Sequence, residues 1–121
     1  MKSRPRKTFL EKTFSKKYSR RFRLRYVGNG YYWISVKDKN GKTLKFNPDF
    51  IKNPIIENRK VIEVNSLAFH TEDEAKERVK LYYQAGWECL VVWETEINDC
   101  KEKLEKFVAE HFTLEELLKM V

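Results

Sequence analysis

The chain has 121 residues, 41% of them hydrophobic and 14% aromatic, which suits one ordinary core and a single domain over residues 1–121. No run approaches the roughly 18–20 apolar residues of a membrane span, and Met1 leads straight into basic residues, so a cytoplasmic location with no membrane partner is expected. The formal charge of +7 is unevenly spread: residues 1–25 hold eleven Lys or Arg against one acid, Glu11, whereas residues 71–121 hold thirteen Asp or Glu against seven Lys or Arg. A field of one sign at one end attracts a polyanion, so nucleic acid leads as partner, ahead of an anionic surface or simple solubility.

Residues 6–19, RKTFLEKTFSKKYS, set Phe9, Leu10, Phe14 and Tyr18 on one helical stripe with lysines elsewhere, which predicts a basic N-terminal amphipathic helix. Glu11 lies beside that stripe, where a solvated acid offsetting lysines is the simplest reading. From Arg21 the period becomes two, and FRLRY at 22–26 alternates apolar residues with arginines as a strand with one basic face does. An Asn29-Gly30 turn leads to a strand over 31–36, and Asn40-Gly41 predicts a hairpin returning through 42–46. Pro48 marks a bulge or the start of a short segment, with Asp49 just beyond it.

Pro54 breaks the pattern, and Lys60 to Val64 then reads as a central strand interrupted by Glu63. A buried carboxylate needs a metal, a cationic partner or a water-filled cleft; the alternative is an edge strand with Glu63 on a solvated face. Thr71 with Glu74 fits a capping box that opens a helix ending at Gly86, with Ala75, Val79, Tyr82 and Tyr83 inward. WECLVVW at 87–93 is a buried strand expected to pair in parallel with 60–64 through the intervening helix. Asn98 or Asp99 caps a helix to about Glu110, and Thr113 with Glu116 opens a last one. Cys89 and Cys100 form neither a disulfide framework nor a CxxC metal pair. The order predicts an α/β fold, a central mixed sheet flanked by helices.

Carboxylates at Asp49 and Glu63, offered from adjacent strand ends, could hold a hard divalent ion through oxygen and leave positions for water and phosphate. His70, just before the Thr71 cap, could accept a proton from that water, although a lone histidine at such a junction is more often a surface or capping residue. The first turn of the helix after it also offers N–H groups to an anion.

FNPDF at 46–50, KVIEVNSLAFH at 60–70 and QAGWECLVVWETEI at 84–97 together resemble the very short patch repair endonucleases and, among them, the phage homing endonucleases with the pattern Glu-Asp-x-His-Asp, within the PD-(D/E)xK superfamily. The resemblance spans about residues 7–97 and implies a restriction-endonuclease-like core and a magnesium- or manganese-dependent endonuclease acting on double-stranded DNA. It implies Asp49 as metal-binding aspartate, His70 as general base, and Glu11 and Asp73 as further catalytic acids, with Glu74 or Glu77 as alternatives to Asp73. The second metal ligand falls on Glu63, Val64 or Asn65; Asn65 stands where the superfamily places a lysine, and Ser66 where the repair enzymes have a zinc-binding cysteine. Of the aromatic wedge that reads a mismatch in the repair enzymes, Phe69 is kept and Ala68 replaces its neighbour. Cleaving both strands implies two active sites and hence a homodimer or a partner monomer, whereas a repair-like enzyme would nick as a monomer; a phage-encoded chain would act inside its bacterial host. The reading from another class is a nucleic-acid-binding module without catalysis on the same kind of fold.

Overall fold

The computed structural model describes residues 8–121, so Arg6 and Lys7 of the expected first helix, and the basic residues before them, lie outside the described residues. Helix α1 (Phe9–Phe14) opens on a closed capping box: the Thr8 hydroxyl accepts from the Glu11 N–H, and the Glu11 carboxylate accepts from the Thr8 N–H at 2.8 Å. Instead of ending at Ser19, the helical path widens into a π-helical turn over Ser15–Ser19 and closes with α2 (Arg20–Phe22). Phe14, Tyr18 and Phe22 are all buried along it, so Phe22 belongs to the helix rather than to the following strand. Phe9, expected on the buried stripe, is 86% exposed. Arg23, at φ 54°, turns the chain into β1 (Leu24–Tyr26).

The Asn40-Gly41 hairpin forms as expected from β2 (Ile34–Lys37) and β3 (Thr43–Phe46), with Gly41 at φ 79°. It stands as a two-stranded sheet of its own rather than joining the central one. Residues 31–33 stay out of the strand because Asn47 holds them in a turn. Its Nδ2 donates to the carbonyls of Val27 (2.7 Å) and Tyr32 (2.8 Å), and its Oδ1 accepts from the Gly30 N–H, where φ is 89°.

The central sheet joins β4 (Phe50–Lys52), β5 (Lys60–Asn65) and β6 (Glu88–Trp93) to β1 in the order β1-β4-β5-β6. The β1–β4 and β4–β5 pairs are antiparallel and β5–β6 is parallel, the mixed sheet that the element order predicts. Every residue of β5 is buried, which removes the edge-strand alternative for Glu63. A one-turn helix, α3 (Ile55–Asn58), fills the Pro54 break.

Registers sort the side chains by face. Phe50 pairs with Ile62 and Ile62 with Leu90, so Ile62 and Val64 share the face on which Phe14 packs, its ring centroid 4.9 Å from that of Phe50. Tyr18 seals this layer by donating to the Ile97 carbonyl at 2.6 Å. By alternation Val61, Glu63 and Asn65 face the other side, where Tyr82 of α4 (Glu72–Gln84) reaches Glu63. Thr71 caps α4 through the Glu74 N–H, and Gly86, at φ 90°, ends it. Leu81 takes the buried place expected for Tyr83, which is exposed. Helix α5 (Lys101–Ala109) has Cys100 at its N-cap, without a side-chain cap bond, rather than Asn98 or Asp99. Helix α6 (Leu114–Lys119) opens on the full Thr113–Glu116 capping box. Among the described residues no helix is long and apolar enough to cross a membrane.

Candidate functional site

A cleft of about 860 Å³ opens where the N-terminal ends of α1 and α4 meet the end of β5. Glu11, Asp49, Glu63, Asn65 and His70 all line it. Asp73 does not; it is exposed on the first turn of α4, while its alternatives Glu74 and Glu77 do line the cleft.

Sheet register brings these residues together. Because β4 runs antiparallel to β5 with Phe50 opposite Ile62, Asp49 arrives beside Glu63 and Val64. The Val64 N–H donates to Asp49 Oδ2 at 2.8 Å. Glu11 comes from the opposite wall, its Oε1 held by the Thr8 N–H and approached by the Tyr26 hydroxyl at 3.5 Å. The solvated role offered for Glu11 is therefore replaced by a buried one that is both a helix cap and a cleft wall.

Burial, then the charge of Glu63, then a hydrogen bond and charge from Glu11 push the Asp49 carboxyl up to about 9, against the pull of the Val64 N–H. Burial, followed by the charges of Glu11 and Asp49, raises Tyr26 to about 12. Burial first, and the neighbouring acids after it, thus disfavour ionisation in the cleft.

Glu63 finds its own counter-charge. Arg78 Nε donates to Glu63 Oε1 at 2.7 Å and the Tyr82 hydroxyl donates to the same atom at 2.9 Å. The Arg78 guanidinium also lies 4.0 Å from the Phe46 ring centroid, fastening the hairpin to α4. A cationic partner was among the answers expected for Glu63, but neither Arg78 nor Tyr82 was singled out as its partner. Yet Arg78 stands on the inward stripe with Ala75, Val79 and Tyr82, and a cation there signals a buried acid opposite.

His70 is presented by a tight turn in which Phe69 and His70 both donate backbone N–H groups to the Ser66 carbonyl at 3.1 Å. Glu94 anchors that turn, accepting from the Ser66 hydroxyl at 3.0 Å and the Leu67 N–H at 3.3 Å. The turn leaves Phe69 82% exposed at the cleft edge. Three acids, Glu72, Asp73 and Glu74, occupy the first turn of α4, so the anion seat expected there is countered by carboxylates.

Among the described residues no group of three or more His, Cys, Asp or Glu side chains is arranged to hold a metal ion by itself. The donor chemistry nonetheless suits magnesium or manganese. Asp49 and the second oxygen of Glu63 are hard donors, Asn65 adds an amide beside them, and the crowding that keeps Asp49 protonated is what a divalent cation relieves. No family model, curated protein or solved structure matches the chain.

Proposed function

We propose that the chain is the catalytic domain of a metal-dependent DNA endonuclease, with a restriction-endonuclease-like core related to the very short patch repair and Glu-Asp-x-His-Asp homing enzymes. The observation that carries this reading is the meeting of Asp49, Glu11 and Glu63 in one cleft with Asn65 and His70, at the end of a sheet ordered β1-β4-β5-β6. In the proposal Asp49, Glu63 and Asn65 hold magnesium or manganese. When bound, the ion supplies charge stabilisation to the phosphoryl group being transferred.

His70 carries no side-chain hydrogen bond among the described residues, and its imidazole accepts the proton of the attacking water. Glu11, fixed by Thr8 and Tyr26, orients that water from the opposite wall. Glu74 or Glu77 takes the role first expected of Asp73. Cleavage of both strands by this domain would pair two copies.

A second reading is supported by the pairing of Glu63 with Arg78 and Tyr82, which neutralises one acid without any metal. It makes the protein a nucleic-acid-binding module without catalysis. Incubating supercoiled plasmid with wild type, Asp49→Ala and His70→Ala in magnesium, calcium or EDTA separates the two. The nuclease reading expects nicking only by wild type in magnesium, with each variant at least about 100-fold slower. Cleavage by Asp49→Ala at the wild-type rate would sink it, and salt-sensitive binding without cleavage in any lane would leave the binding module.

A further inference from the structure

The β2–β3 hairpin takes no part in the central sheet or in the chemistry proposed for the cleft. Its inner face, Ile34, Val36, Leu44 and Phe46, turns towards the protein, and Phe46 stacks edge-on to Tyr82 at 5.2 Å. By alternation the outer face carries Ser35, Lys37, Thr43 and Lys45, all exposed, with Trp33 at its base and Lys39 and Lys42 at its tip. Four lysines thus share one ribbon. Asp38, the acid among them, is occupied by the N–H groups of Asn40 and Lys42, both at 2.9 Å.

None of the four lysines joins an ion pair among the described residues, whereas most lysines of α4, α5 and α6 do. Trp33 is 55% exposed, while Trp87 and Trp93 are buried. Phe46 and Asn47 at the root of the ribbon also line the cleft, so the ribbon runs outward from the cleft wall. From Phe46 to Gly41 it extends about 17 Å at the strand rise.

We infer that the outer face of this hairpin is a docking surface for the sugar-phosphate backbone of double-stranded DNA, which leaves the cleft along it. The inference rests on the nuclease reading for the kind of polyanion, and on charge complementarity and continuity with the cleft for the place. Lys37, Lys39, Lys42 and Lys45 meet successive phosphates, and the Trp33 ring packs against a sugar.

The test measures binding of a fluorescent 20-base-pair duplex in EDTA by anisotropy across a salt series. Wild type is compared with the fourfold Lys→Ala variant at 37, 39, 42 and 45 and with the fourfold Lys→Arg variant, all checked for equal thermal melting. Lys→Ala is expected to weaken binding about tenfold or more at 0.1 M salt and to lower the slope of log K against log salt by about 2 to 4, with Lys→Arg restoring both. Acrylamide quenching of tryptophan, which reports Trp33 in the wild type, is expected to fall when the duplex is added and to be insensitive to it in Trp33→Phe. Unchanged affinity and slope in the Lys→Ala variant, or no duplex binding by wild type at low salt, overturns the inference. Plasmid cleavage by Asp49→Ala at the wild-type rate would instead remove the cleft reading and leave the binding result standing.

Discussion

Asp49 sits between two demands. In the proposed role of metal ligand it should be ionised, yet burial and the neighbouring Glu63 and Glu11 keep its proton on at neutral pH. With a carboxyl near 9 in the folded chain and near 4 when unfolded, the folded state holds the extra proton between those values, so stability falls as pH rises from about 4 to about 9. Asp49→Asn, which on the proposed nuclease reading abolishes cleavage, should therefore raise stability without metal at pH 8 by on the order of 2 kcal/mol, with little change at pH 4. Thermal melts at the two pH values check this. On the proposed reading, magnesium raises the wild-type melting temperature more at pH 8.5 than at pH 6, because an ion held by Asp49 must displace its proton. Glu63 poses the opposite case: removing its partner strands a buried charge. Arg78→Ala should cost about 3 kcal/mol in urea unfolding, and Tyr82→Phe, which removes one hydrogen bond, nearer about 1 kcal/mol.

Among the elements, α4, β5, β6 and the hairpin were legible because each carries a period, a cap or a turn pair in its own residues. The acids of the cleft were legible as awkward residues: Glu63 inside an apolar strand and Asp49 after a proline. What local pattern cannot convey is which side chain from a distant element answers them. Arg78 and Tyr82 were such answers, and so was the box that turns Glu11 inward. The early start expected for the second strand failed for a similar reason, since residues 31–33 satisfy β-propensity but Asn47, fourteen or more positions later, binds them into a turn. Asn47→Ala loses three hydrogen bonds at once and should destabilise by about 2 kcal/mol. Hydrogen exchange localises the effect, with the Gly30 amide losing protection while those of β5 keep theirs.

Across the molecule, acidic side chains gather at one end of β5 and a lysine is locked away at the other. Lys60, 2% exposed, donates to the Glu110 carbonyl at 2.6 Å and to Glu88 at 3.2 Å, under the Phe107 and Phe112 rings. Glu88 also accepts from the Phe112 N–H and meets His111 at 2.7 Å, so this ion pair fastens the joint between α5 and α6 to the sheet. Lys60→Ala should cost about 3 kcal/mol by urea unfolding while leaving the cleft's chemistry alone. The wide turn at Ser15–Ser19 joins the two halves of the N-terminal helix in another sense. In a regular helix, residues four apart drift by about 40° at each step; the π-helical turn takes up that drift, so Phe14, Tyr18 and Phe22 lie under one another while Glu11 stays rotated towards the cleft. The segment therefore works as a phase setting. Losing or gaining one residue there would swing Glu11 by about 100° relative to the docked aromatics, so chain length between those two points, and not only residue identity, is part of what the cleft requires.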